Sequence, residues 1–241
     1  MIRAIAVRRI RYGIRSRVAG MELLYAVLAR WKCARTAGCR EVRADTKVVI
    51  EAFPRSGNTF AYMAFKLSQV VPIEVAHHTH APSQVVRAVR LNIPTLIIVR
   101  RPADAVASFC IREPEIGVRQ ALRAWLRFYA PLVPLRHKLA VESFEQVTIN
   151  FGTVVKRLNS QFGTSFATFE HNHETVKDVF AAISARNASF SQSGEVSETA
   201  VARPSEARKN KTAEKKKEVL SQEGLLREAA HVYARLAGED R

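Results

Sequence analysis

KVVIEAFPRSGNTF, residues 47–60, joins a β-branched and aromatic run to a polar bend and the start of an apolar-periodic segment. Residues 47–53 read as a strand short enough to cross a buried sheet once, stopped by Pro54. Phe60, Met63, Leu67 and Val70 recur at three- and four-residue spacing, which predicts a helix with those side chains on its apolar face. Gly57 lies between the two and permits a close backbone approach that a Cβ would block. A strand, a bend and a helix start in that order turn backbone N–H groups toward one point, so the bend reads as an anion-binding loop suited to phosphate.

The common nucleotide loops are excluded. No segment carries the Walker A pattern with its lysine, and no G-x-G-x-x-G follows a strand. A nucleotide kinase or other phosphoryl-transfer enzyme would need that lysine and magnesium-binding carboxylates, and neither is found.

Two further stretches bear on the loop. LIIVRRPADAVAS, residues 96–108, is an apolar strand followed by Arg-x-Pro-x-Asp, with Ser108 eight residues after Arg100. Pro102 suits the first turn of a helix, and Asp104 in that turn favours the helix N-terminus, a structural role. Between the motifs stands THAP, residues 79–82. Together the three resemble the sulfotransferases that use 3'-phosphoadenosine 5'-phosphosulfate (PAPS). Their loop is written PKSGTTW or, in many bacterial members, PRSGNT. The resemblance spans residues 47–169.

It implies that Arg55, Ser56, Gly57, Asn58 and Thr59 hold the 5'-phosphosulfate. Arg55 stands where many members have Lys. A guanidinium grips phosphate bidentately but does not release a proton, so only charge stabilisation is expected of it. Phe60 replaces the loop-ending Trp that stacks on adenine; it either does the same with less area or packs in the core with Met63 and Leu67. The resemblance further makes Arg100 and Ser108 readers of the 3'-phosphate and His80 the catalytic base. An imidazole titrating near neutrality suits that task. Arg203 and Arg208, in VARPSEARKNK, are the nearest candidates for the family's C-terminal basic contacts, although its Arg-Lys-Gly is missing. His77 and His78 have no role assigned, one of them occupying the family's Lys position. A metal reading of His77, His78 and His80 finds Glu74 as the single nearby carboxylate, and no metal is expected. The acceptor implied is a carbohydrate hydroxyl, with a small alcohol or phenol next.

Strand and helix alternate along the chain, which predicts an α/β fold of three layers around a central parallel sheet, with a P-loop-like phosphosulfate-binding loop. The other expected elements are helices at 83–91 and 102–111, a helix at 117–138 interrupted near Pro131 and Pro134, a strand at 146–151, and helices at 153–161 and 171–183. Trp125 and Phe128 are candidate core residues.

At 241 residues and 47% hydrophobic the chain can bury one core. Residues 1–45 read as a basic arm and lead-in helix, and 46–241 as the sulfotransferase domain. Within it, 184–212 has the composition of a mobile loop. Residues 215–236 read as a C-terminal helix on Val219, Leu226, Tyr233 and Leu236. Cys33, Cys39 and Cys110 are an odd, unpatterned set, which reads as reduced thiols. No apolar run approaches the roughly 18 residues of a membrane span, and since secretory-pathway members usually carry an anchor, the resemblance places the chain in the cytoplasm.

The net charge is +16, with Arg3, Arg8, Arg9, Arg11, Arg15 and Arg17 ahead of Met21 and a second basic cluster at Lys209, Lys211, Lys215, Lys216 and Lys217. Such charge attracts polyanions. It leaves open a non-catalytic basic protein that binds nucleic acid or an anionic surface, and peripheral membrane contact through the N-terminus. No spacing typical of RNA or DNA readers accompanies it.

Overall fold

The structure, a computed structural model, describes residues 2–35, 38–189 and 206–239. Two helices lead in, α1 (Ile2–Val18) and α2 (Glu22–Arg35). β1 (Val48–Ala52) feeds α3 (Asn58–Ser68), β2 (Val75–His77) feeds α4 (Pro82–Arg90), and β3 (Thr95–Val99) feeds α5 (Pro102–Arg112). α6 (Val118–Tyr129) and a 3-10 segment, Ala130–Lys138, lead to β4 (Ala140–Ser143). The chain closes with α7 (Phe144–Ile149), α8 (Phe151–Phe162), α9 (His173–Ser189), α10 (Glu206–Leu220) and α11 (Glu223–Ala237).

The strands form one parallel sheet in the order β2-β1-β3-β4, with Ile50 opposite Leu96 and Leu96 opposite Ala140. Every residue of β1 and β3 is buried, as near-continuous apolar runs in a parallel sheet are when helices cover both faces. Alternation divides them between two cores. Val48, Ile50, Ala52, Leu96 and Ile98 pack with α3, α8 and α9, while Ile97 and Val99 pack with α5, α6 and α11. The architecture is therefore three-layer α/β, and β1, β2 and β3 deliver their following loops to one edge of the sheet.

Several local expectations are corrected. Residues 146–151, read as a strand, are the end of α7 and the start of α8, and the strand lies upstream at Ala140–Ser143. Capping decides this: Ser143 Oγ accepts from the Gln146 N–H at 3.1 Å, and Asn150 Oδ1 accepts from the Thr153 N–H at 3.1 Å. On α3 the buried face is Phe60, Ala61, Met63, Ala64 and Phe65, whereas Leu67 is exposed and Val70 lies beyond the helix end in solvent. The basic N-terminal arm is helical. Its Tyr12 ring lies 5.3 Å from that of Phe109, and Gly13 is buried where a Cβ would meet Gln120.

Of the mobile loop expected at 184–212, residues 184–189 belong to α9 and 206–212 to α10, and the rest lies outside the described residues. The expected C-terminal helix is two helices broken at Ser221 and Gln222, with Val219 and Leu236 fully buried. Cys33 and Cys39, expected as thiols, are joined in a disulfide, their Cα atoms 5.3 Å apart, within the range a disulfide spans.

Candidate functional site

β1 ends in a bend whose backbone is unusual. Gly57 takes φ +89° and caps α3, where no side chain satisfies the first N–H groups. A Cβ on Gly57 would sit 3.1 Å from Phe144 Cδ2, so glycine suits both the left-handed backbone and the tight space. Arg55 also takes a positive φ, 70°, as do His78 and His80 at 59° and 53°. Strained non-glycine residues of this kind persist where the surroundings over-determine them, and all three border the same cleft. The bend is held from below by Tyr129, whose hydroxyl donates to the Ile98 carbonyl at 2.6 Å and accepts from the Phe53 N–H at 3.1 Å.

Asn58 is buried at the head of α3, and both its Oδ1 and its Nδ2 lack a hydrogen-bond partner. An unmet buried amide costs about 1–3 kcal/mol, a cost that a polar ligand in the bend would relieve.

The residues expected to read phosphate meet. Arg100, at the end of β3, donates from Nη1 to the Arg55 carbonyl at 2.8 Å and lies 4.1 Å above the Phe144 ring. Arg55 Nε donates to Ser108 Oγ on α5 at 3.3 Å. Two guanidinium groups and a hydroxyl from three different elements therefore share one corner. Arg203 lies outside the described residues, and of Arg208 only the backbone, within α10, is described. Helix α10 brings Thr212, Ala213 and Lys216 to the cleft, where Lys216 pairs with Asp104 at 2.7 Å. Asp104 lies in the first turn of α5, as expected, and has this cation as a further partner.

His80 stands on the opposite side of the bend. Its Nδ1 lies 2.7 Å from the Ala52 carbonyl, an acceptor only, so Nδ1 carries the proton and Nε2 is the basic nitrogen. The segment carrying it is anchored on Glu51, fully buried in β1. Glu51 Oε1 accepts from the Thr79 N–H and hydroxyl, both at 2.8 Å, and from Gln84 Nε2 at 2.9 Å, while Oε2 accepts from the His80 N–H at 3.2 Å. Sequence reasoning misses Glu51, although a carboxylate inside an apolar strand is a visible signal. Phe144, which packs under both Gly57 and Arg100, leaves no such signal.

His78 and Thr59 also make contact, with His78 Nε2 3.0 Å from Thr59 Oγ1. The other ring nitrogen of His78 lies 2.7 Å from His77 Nδ1. His77 is stacked on Tyr62 at 3.8 Å, and burial, followed by the Arg186 charge, pushes its pKa down to about 3. A neutral His77 thus orients His78, which in turn reaches the loop. Among the described residues no three His, Cys, Asp or Glu side chains gather in an arrangement that could hold a metal ion.

Phe60 borders the cleft but is only 7% exposed, with Phe180 and His171 each 5.9 Å away and Phe169 at 6.4 Å. Of its two readings, core packing describes this ring, which has little face left for a base. The cleft itself encloses about 1480 Å³. Helix α1 contributes Arg8, Arg11 and Arg15 to its wall.

No family model and no curated protein matches the chain. Among solved structures, mouse sulfotransferase SULT7A1 complexed with PAP aligns at 12% identity and a TM-score of 0.42, over 79% of this chain and 90% of that one. A likeness of that size carries no conclusion about this chain.

Proposed function

We propose that the chain, through residues 46–241, transfers a sulfuryl group from PAPS to an acceptor hydroxyl. The observation that carries this reading is the linked corner of Arg100, Arg55 and Ser108 beside the uncapped start of α3. Cations and helix N–H groups held together suit a ligand with phosphate at both ends.

In this reading the N–H groups at 57–59, the Asn58 amide and Thr59 receive the 5'-phosphosulfate, and Arg100 with Ser108 receives the 3'-phosphate. Arg55, lying between them, stabilises charge on either group. The acceptor oxygen bonds to sulfur as the bond from sulfur to the bridging phosphate oxygen breaks, and the acceptor's proton passes to His80 Nε2. The leaving group is 3'-phosphoadenosine 5'-phosphate, its new charge met by the loop amides and Arg55. Glu51 positions His80 without touching the reactants. Rate enhancement then comes from alignment and charge stabilisation, with no residue forming a covalent intermediate. A carbohydrate hydroxyl is the first acceptor to try.

The test is sulfate transfer from sulfur-labelled PAPS to a panel of carbohydrate, alcohol and phenol acceptors. Labelled product with the native chain and its loss with His80→Ala support the reading. Absence of transfer to every acceptor, together with no binding of the nucleotide, withdraws it.

A further inference from the structure

We infer that α1 and α2 form a platform that docks on the surface of an anionic lipid bilayer. On α1, Val7, Ile10 and Ile14 lie at helical spacing on the face opposite Tyr12 and Gly13, which pack inward. On α2, Leu24, Val27, Leu28 and Trp31 form a second stripe, opposite the buried Tyr25 and Ala29. All seven are between 48% and 70% exposed. Single exposed apolar side chains are ordinary, but helically spaced stripes on two consecutive helices expose the kind of apolar face that other surfaces cover.

Charge identifies the occupant. Residues 1–40 contain ten Lys and Arg and a single acid, Glu22, which is paired with Arg90. A second copy of this chain would bring the same cations face to face, and repulsion opposes that pairing. Nucleic acid would meet the arginines but leave Ile10, Ile14 and Leu28 uncovered. An anionic bilayer satisfies both: acyl chains receive the apolar stripes, and headgroups meet the exposed Arg11, Arg15 and Arg17. Trp31, with the Arg35 guanidinium 3.9 Å from its ring centroid, pairs an aromatic ring and a cation as at a membrane interface. Among the described residues no helix is long and apolar enough to cross a membrane, so the contact is with the surface. Because α1 also walls the cleft, docking would set the cleft opening beside the headgroups.

The test uses the full chain and vesicles of phosphatidylcholine, with or without about one-third phosphatidylglycerol. Expected is co-sedimentation with the anionic vesicles at least about tenfold stronger than with neutral ones, weakened by salt. The chain has two tryptophans, of which Trp125 is fully buried, so a blue shift of fluorescence on vesicle addition reports Trp31; Trp31→Phe abolishes the shift while binding persists. Ile10→Glu with Ile14→Glu, both at exposed positions, lowers vesicle partitioning by roughly tenfold or more while the circular dichroism spectrum is unchanged. Equal sedimentation with neutral vesicles, an unshifted Trp31, or a dimer dispersed by the same Glu substitutions without vesicle binding would each overturn the inference. So would salt-sensitive binding to nucleic acid with no binding to vesicles. None of these readouts depends on sulfate transfer, so the docking surface and the catalytic reading fail separately.

Discussion

Arg100 donates to the backbone carbonyl of Arg55 at 2.8 Å, which ties the end of β3 to the bend after β1. The second motif thus shapes the loop of the first, and in the proposed reading it also offers a cation to the 3'-phosphate. Replacement by alanine removes a charge-assisted contact worth roughly 1.5–3 kcal/mol, so nucleotide affinity is expected to fall about 10- to 100-fold. Arg100→Lys restores the charge without the planar fork and should recover only part of the loss. Titration calorimetry on the three proteins measures both effects.

His80→Ala is expected to lower kcat by roughly 10²- to 10⁴-fold, the range for removal of a positioned general base, with little change in the KM for PAPS. Steady-state kinetics at saturating acceptor separates the two. An unchanged kcat would remove His80 from the mechanism.

Glu51 is fully buried and accepts hydrogen bonds from the Thr79 N–H and hydroxyl, Gln84 Nε2 and the His80 N–H. Glu51→Gln turns one acceptor oxygen into a donor that faces other donors, and a stability loss of about 3 kcal/mol follows. Urea unfolding measures it. A variant as stable as the parent would show that the carboxylate is not the anchor of residues 79–84.

Burial lowers the His77 pKa to about 3, against an ordinary value of 6.5. The folded state binds fewer protons than the unfolded one between those values, so this contribution to stability is complete above the unfolded pKa and is lost as pH falls toward the folded one. By about pH 5 the loss attributable to His77 reaches at most about 2 kcal/mol. His77→Phe keeps a ring against Tyr62 but has no proton to gain, so its stability should fall less than the parent's between neutral and acid pH in urea titrations.

Gly152 opens α8 with its Cα close to another segment, such that a Cβ would lie 2.3 Å from the Phe169 carbonyl oxygen. Gly152→Ala must displace backbone and should cost roughly 1–3 kcal/mol. Gly224, in α11, has open space where a methyl group would stand, with nothing within 4 Å, and Gly224→Ala should be neutral or stabilising by up to about 1 kcal/mol. Thermal unfolding of the pair separates a spatial requirement from a helix propensity.

The buried strands were legible because a parallel sheet covered on both faces favours near-continuous apolar runs, and residues 48–50 and 96–99 are such runs. Arg55, Arg100 and Ser108 were legible because each follows or sits on an element that could be placed. The region at 146–151 was misread because its apolar run resembles a strand and the deciding signals are two single capping residues, Ser143 and Asn150. Leu67 and Val70 continue the spacing of Phe60 and Met63, yet α3 stops at Ser68 and the period runs on past its end. Glu51 acquires its role only when residues 79–84, 28 to 33 positions away, fold onto it. Local patterning does not contain that contact, nor the proximity of Cys39 to Cys33.

The corner of Arg55, Arg100 and Ser108 is tested most directly by calorimetric titration of the chain with 3'-phosphoadenosine 5'-phosphate beside adenosine 5'-phosphate. The doubly phosphorylated compound is expected to bind at least about tenfold tighter, with Arg100→Ala erasing the difference. No heat with that compound, or equal affinity for the two, would contradict a site built for phosphate at both ends of the nucleotide.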